Sequence, residues 1–134
     1  MLMKDYRKYI KRGEFQPLEK IPFHGKAPIK RLLMIDKDKI NGVGMHVAVH
    51  IIKNLPRKIP KYSELHKHDC DEINLILSED SQLVYKIQLG NKIFKVKSPS
   101  SVFIPKGVSH NAEVISGKGM FICIILRGKY KAIK

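Results

Sequence analysis

Two histidines and a glutamate in one short segment have the side-chain types of a metal site. His66 and His68 are two residues apart, so on a β-strand both imidazoles project from the same face. Glu72 has the same parity, but a straight strand would place it about 13 Å beyond His68, at roughly 3.3 Å per residue. The chain must therefore bend within 69–71, where two aspartates suit a turn, so that Glu72 returns beside the histidines.

A second segment can bring one more histidine to the same place. Residues 105–110 read Pro-Lys-Gly-Val-Ser-His, a proline and glycine turn that delivers His110 to the start of a strand. Three imidazoles and a carboxylate form a mixed nitrogen and oxygen set that suits a borderline divalent ion, and octahedral coordination would leave two positions open. The sequence therefore predicts one divalent-metal site, on His66, His68, Glu72 and His110.

Short β-strands must position these ligands. Residues 1–12 have apolar side chains at helical spacing and predict a short helix, whereas 14–28 contain three prolines and predict an irregular connector. Apolar and β-branched runs then predict strands at 29–35, 44–52, 72–77, 82–89, 92–96, 102–104, 112–115 and 120–126. Strands this short and closely spaced are typical of an antiparallel sandwich or barrel.

Both ligand segments resemble the motifs of the cupin superfamily. Residues 66–72 match the HxHxxxE core of the first cupin motif, and 105–110 match the PxGxxH core of the second. The 32 residues between them fit the inter-motif region of a compact cupin. The resemblance implies an all-β fold, a double-stranded β-helix or jelly-roll barrel. We assign this cupin domain to 29–134 and an N-terminal extension, with its candidate helix, to 1–28.

The same resemblance implies metal-dependent chemistry on a small molecule in the barrel mouth. The candidate reactions are of the oxygenase, isomerase or epimerase, and decarboxylase types, and the candidate ions are iron, manganese, nickel and zinc. A non-catalytic small-molecule-binding or sensor protein that uses the same cavity is the alternative. No catalytic group beyond the ligands is assigned.

Four other side chains near the motifs have open or structural roles. Cys70 lies in the loop of the first motif, and we interpret it as a small residue without a chemical role. Cys123 lies in an apolar run and is expected in the core. His46 and His50 share one face of the strand at 44–52, so that either one of them lines the pocket or both are ordinary strand histidines.

The charge of the chain restricts its partners. The 134 residues suit one domain, and 26 lysines and arginines against 12 acidic residues give a net charge of +14. Only five of the 26 are arginines, whereas base recognition in fixed geometry favours the arginine fork. Nucleic-acid binding is therefore not expected, and the charge favours an anionic small-molecule substrate.

The remaining expectations concern location and assembly. Two cysteines cannot form a disulfide framework, and the sequence has neither a signal-like segment nor an apolar stretch long enough for a bilayer. We therefore expect a cytoplasmic protein that does not enter a membrane. A small jelly roll leaves a sheet edge and an apolar outer sheet face exposed, so we also expect a homodimer.

Overall fold

The computed structural model describes residues 5–126 and 132–133, most of which lie in β-strands or the turns between them. Two short 3₁₀ helices, Tyr6–Tyr9 and Leu18–Lys20, precede most of the strands. In chain order the described strands are β1 (Glu14–Gln16), β2 (Lys30–Ile35), β3 (Met45–Ile52), β4 (Lys67–His68), β5 (Asp71–Leu77), β6 (Val84–Leu89), β7 (Lys92–Lys97), β8 (Ser100–Ile104), β9 (His110–Ser116), β10 (Gly119–Leu126) and β11 (Ala132–Ile133). The eight predicted strands are all present, each with bounds within two residues of the prediction.

The strands form two main antiparallel sheets. The larger sheet has the order β1-β2-β3-β10-β5-β8, and the smaller has the order β7-β6-β9. Reciprocal backbone hydrogen bonds between His66 and His110, with N···O distances of 3.1 and 2.7 Å, bring the start of β4 beside β9. The orders β3-β10-β5-β8 and β4-β9-β6-β7 are those of a jelly roll, so the predicted all-β barrel is confirmed.

The inward faces of the two sheets supply both the core and the candidate site. Along β5, residues 72, 74 and 76 are buried while their neighbours are partly exposed, which is the alternation of a half-buried strand. In the core, the rings of Tyr85 and Phe121 stack with centroids 4.6 Å apart. The core contains a set of buried apolar side chains from both sheets and from the segments that connect the strands: Leu18, Ile29, Ile52, Tyr62, Ile76, Leu83, Tyr85, Ile87, Val102, Ile104, Val114 and Phe121.

The N-terminal part of the chain is more ordered than its sequence suggests. Within the described residues, the helix predicted for 1–12 is reduced to the single 3₁₀ turn Tyr6–Tyr9, while residues 1–4 lie outside the description. The predicted connector at 14–28 includes β1, which pairs with β2, and Leu18, which is 2% exposed in the core. The prediction failed because strand pairing and burial, rather than local propensity, decide these residues.

Among residues 5–126 and 132–133, no helix has the length and apolarity needed to cross a bilayer. The expectation of a cytoplasmic protein stays a prediction.

Candidate metal centre

Three buried histidines converge between the two sheets. His66 lies just before β4, His68 ends β4, and His110 begins β9. Each offers a ring nitrogen, and these three atoms lie within 4.8 Å of one another. The three ring centroids are separated by 4.8 to 5.0 Å. The backbone pairing of His66 with His110 fixes two of the rings side by side, and the group could hold a metal ion.

Glu72 approaches the histidines from the opposite sheet. After His68 the chain bends at Asp69 and Cys70 and returns as β5, as the spacing of the motif requires. The Glu72 Oε1 atom lies 3.1 Å from the Nε2 atom of His68 and 3.3 Å from that of His110. All four residues predicted from the sequence are therefore brought together.

Backbone carbonyls fix the tautomers of two of the histidines. The Nδ1 atom of His66 lies 2.7 Å from the carbonyl oxygen of Glu64, and that of His110 lies 2.9 Å from the carbonyl oxygen of Val108. Since a carbonyl only accepts, each Nδ1–H must donate. The Nε2 atom of each neutral ring is then left with an unprotonated lone pair, which is the form that coordinates metals.

A side-chain hydrogen bond likewise fixes the Glu72 carboxylate. The Asn74 side-chain amide donates to Glu72 Oε2 over 2.7 Å. On the other side, Glu72 Oε1 and His110 Nε2 are inaccessible to solvent and face each other at ion-pair distance without hydrogen-bond geometry. Two buried lone pairs at this distance repel each other unless a cation lies between them. A proton or a metal ion satisfies that requirement, so the residues present fit a divalent ion.

Burial and neighbouring groups favour the metal-binding protonation states of His66 and Glu72. Burial lowers the pKa of His66 to about 4, mainly by desolvation of the charged ring. Burial alone would raise the pKa of Glu72, but the close approach of His110 and His68 and the hydrogen bond from Asn74 outweigh it and hold this pKa far below its usual range. A neutral imidazole and an ionised carboxylate are the forms that bind a metal ion.

A cavity of about 40 Å³ lies beside the four predicted ligands. At roughly 10–15 Å³ per water molecule, it has room for about three waters. Its walls include Arg31 and His24, which the sequence analysis did not single out, and His50, whose role was left open. Cys123, expected in the core, packs against the core but also borders this cavity. Cys70 is buried in its loop and is not among the described residues that line the cavity.

The N-terminal segment covers one side of the histidine cluster. The Phe23 ring stacks on His66 with centroids 5.5 Å apart, and the His24 ring meets His66 edge-on at 5.8 Å. Two backbone hydrogen bonds attach this segment to the chain before His66, from Gly25 N to Tyr62 O and from Glu64 N to Phe23 O. The predicted connector therefore forms part of the wall of the site.

A buried carboxylate on β9 fastens the segment that leads to His66. Glu113 Oε2 accepts from the backbone N–H of Tyr62 over 2.8 Å and of Ser63 over 3.3 Å. Beside it, the Asn111 amide donates to the carbonyl oxygen of Ser63 over 3.0 Å. These contacts set the position of His66 from the same strand that carries His110.

Replacing Glu113 with alanine is therefore expected to destabilise the protein by about 2–4 kcal/mol, because two buried N–H groups lose their acceptor. Glu113→Gln, which keeps one acceptor oxygen, should cost less. The measurement is the free energy of unfolding from urea titrations of both variants and the wild type. Equal stability of Glu113→Ala and wild type would show that this carboxylate does not hold the segment.

The similarity of this chain to known proteins lies in its structure rather than in its sequence. No family model matches the chain, and no curated protein matches it in sequence. A cupin-2 domain from Rhodospirillum rubrum superposes with a TM-score of 0.58 at 17% identity, over 90% of this chain and 73% of that one. The chain has the cupin fold.

Two further solved structures match over more of this chain or over more of their own length. KdgF from a Halomonas species matches with a TM-score of 0.59 at 12% identity, over 87% of each chain. The polyketide cyclase RemF from Streptomyces resistomycificus matches with a TM-score of 0.58 at 15% identity, over 98% of this chain and 84% of that one. At these identities the likeness concerns the fold alone.

Proposed function

We propose that this cupin is a metal-dependent enzyme that acts on a small molecule, with one divalent ion held by His66, His68, Glu72 and His110. The observation that carries the proposal is the buried pair formed by Glu72 Oε1 and His110 Nε2, which lie 3.3 Å apart and have no hydrogen-bond partner among the described residues. Iron, manganese, nickel and zinc all suit this ligand set. When bound there, such an ion supplies Lewis acidity or redox chemistry to a small ligand.

The protein's own contribution is to hold and orient the ligand side chains. The carbonyls of Glu64 and Val108 fix two imidazole rings, and Asn74 fixes the carboxylate. Such outer partners raise the basicity of the ligands and limit the ways in which they can rotate. Phe121 and Phe23 add apolar surface beside this polar set, which limits the access of water. The reaction type, whether oxygenase, isomerase or epimerase, or decarboxylase, follows from the cupin resemblance only.

Catalysis of this kind needs an open coordination position. Manganese-loaded protein should therefore enhance water-proton relaxation, because a rapidly exchanging water molecule on a paramagnetic ion relaxes the bulk solvent. Zinc-loaded protein, which is diamagnetic, is the matched control. A loaded protein that gives no more enhancement than the zinc form has a closed coordination sphere and contradicts the enzyme proposal.

The alternative is a cupin that binds or senses a small molecule without transforming it. The observation in its favour is the small volume of the cavity, about 40 Å³, together with the cover formed by Phe23 and His24. A closed coordination sphere in the relaxation experiment, combined with saturable binding of a small ligand, would select this alternative.

A further inference from the structure

We infer that the substrate is a small carboxylate, and that Arg31 binds its anionic group inside the cavity that the four ligands share. Arg31 is placed for this by the sheet. It lies on β2 opposite His50 of β3, which in turn lies opposite Phe121 of β10. Its side chain is 5% exposed and borders the cavity together with His68 and the other ligands. The inference rests on the proposed function, since it assigns the substrate class of that site.

Three neutral groups orient the guanidinium. Nη1 donates to His50 Nε2 over 3.0 Å, Nη2 donates to His46 Nε2 over 3.2 Å, and Nε donates to Gln16 Oε1 over 3.2 Å. A guanidinium only donates, so both histidines must accept in their neutral form. Burial, reinforced by the charge of Arg31, lowers the pKa of His46 to about 4 and that of His50 further below its ordinary value. These contacts hold the fork in place and leave its positive charge intact.

The charge of the cavity selects an anion. Among the described residues that line it, Glu72 is the one acidic side chain and Arg31 the one permanently charged base. The charge of a divalent ion bound by the four ligands would be larger than the opposite charge of Glu72, so the cavity as a whole would be positive. Arginine is also the side chain that best matches the two oxygens of a carboxylate.

The size of the cavity limits the anion to a few heavy atoms. Room for about three waters in a volume of about 40 Å³, part of which the ion would take, fits formate or acetate better than a sugar or a polyketide. Arg31, Glu72 and His24 all border this cavity, so a small molecule bound in it would lie beside both charged side chains.

The test compares acetate with acetamide, its neutral isostere, by isothermal titration calorimetry and thermal shift. Both ligands are titrated into metal-loaded and into chelator-treated protein, and metal content is measured separately. We expect acetate to bind the wild type at least tenfold more tightly than acetamide. Arg31→Gln should lose this preference, and Arg31→Lys should keep part of it. Arg57→Gln, which removes the same charge from an exposed arginine, is the matched control and should behave as wild type.

The outcomes separate this inference from the proposed function. A protein that binds metal but prefers acetate no more than acetamide overturns the inference and leaves the proposed function standing. A protein that takes up no metal but binds acetate through Arg31 supports the inference and contradicts the proposed function. The comparison in chelator-treated wild type, where no ion can bind acetate, decides the question even where Arg31→Gln does not fold.

A second, independent inference comes from the outer face of the six-stranded sheet. We propose that this face packs against the same face of a second copy of the chain. Three registered rows of side chains cross the sheet, and most members are apolar and at least partly exposed. The apolar members are Phe15, Leu32, Val49, Ile122 and Leu75 in the first row, Ile35, Val47, Ile124, Ile73 and Phe103 in the second, and Ile51, Met120 and Leu77 in the third.

The dimensions and the charge of this face suit self-association. Six strands about 4.8 Å apart and roughly 20 Å long span about 600 Å², so two copies would bury about 1,200 Å² in total, the lower end of the range for stable interfaces. Within the three rows the one charged member is Lys30, at a corner of the third row. An apolar face without opposing charges at its centre is self-complementary, as a two-fold dimer requires.

The test is the mass in solution by light scattering at micromolar concentration. We expect twice the chain mass of 15.4 kDa for the wild type and the single-chain mass for Ile122→Asp and for Phe103→Asp. Ile93→Asp is the matched control, because Ile93 is 62% exposed on β7, outside this face. The proposal would be overturned if the wild type were a monomer at these concentrations, or if both face variants remained dimers. The face would then be left to a membrane or another protein.

Discussion

Alanine at His66, His68 or His110 is expected to abolish most of the stability that a divalent ion adds to this protein. Binding to the folded state alone stabilises it by about 2.7 kcal/mol when free metal is 100 times its dissociation constant. At roughly 3–4 °C per kcal/mol for a chain of this size, the melting temperature should rise by about 10 °C. Each variant removes one of the three nitrogen ligands that converge within 4.8 Å.

The metal-free wild type should nevertheless remain folded. The barrel has an apolar core of its own, unlike small domains that need an ion to fold. Glu72→Gln should reduce the increment less than the histidine variants, because an amide oxygen still coordinates weakly without the carboxylate charge. His46→Gln is the matched control, since His46 is outside the ligand group and glutamine can still accept from Arg31.

The measurement is thermal melting of these variants with chelator and with excess divalent ion. The histidine variants should melt at the same temperature in both conditions, and His46→Gln should show the wild-type difference. A chelator-sensitive increment that survives in all three histidine variants would place the ion elsewhere in the protein.

The metal-free protein is also expected to lose stability through its buried histidines as the pH falls from 7.5 to 5.5. Burial first, and the charge of Arg31 second, hold the pKa of His46 at about 4 and that of His50 well below its ordinary value. Between the unfolded pKa of about 6.5 and the lower folded pKa, the unfolded chain binds a proton that the folded chain does not. The stability that these two neutral histidines contribute is therefore complete above about pH 6.5 and is lost progressively as the pH falls below it.

The expected loss at pH 5.5 is about 1 kcal/mol for His50 and less for His46, which is partly exposed. His110 acts in the opposite sense. Burial opposes its charged form, but the nearby Glu72 carboxylate raises its pKa, so the stability from that pair is present at low pH and lost as the pH rises through the raised pKa.

Comparison of variants isolates the contribution of His50 to the pH dependence of stability from the opposite contribution of His110. In His50→Gln the side-chain oxygen can still accept from Arg31 Nη1, but it does not titrate. Free energies of unfolding from urea titrations, in chelator, should therefore fall less between pH 7.5 and 5.5 in the variant than in the wild type. Equal losses in the two proteins would mean that His50 is protonated in the folded state at pH 5.5.

Three of the four ligand residues could be predicted because their relations are local, and His110 because residues 105–110 match the second cupin motif. A two-residue spacing, a bend and a turn bring His66, His68 and Glu72 together, and a second turn delivers His110. Arg31 and His24 have no such local relation to them. Only the pairing of β2 with β3, and of β3 with β10, brings Arg31 to the cavity, and strand order is a tertiary property.

The same reason explains the role of Cys123. The run from 120 to 126 is apolar on both faces of the strand, so its pattern does not distinguish the inward face from the outward one. In the structure Phe121, Cys123 and Ile125 border the cavity, whereas Ile122 and Ile124 belong to the outer apolar face. A strand with one polar face would have revealed its orientation.

The most direct test of the metal centre is elemental analysis of the purified protein after exposure to iron, manganese, nickel and zinc, one at a time. We expect about one divalent ion per chain in the wild type for at least one of these metals, and a small fraction of that in His66→Ala and His110→Ala. A wild type that retains none of the four, and whose melting curve ignores both chelator and added ions, would contradict the assignment of His66, His68, Glu72 and His110 as a metal site.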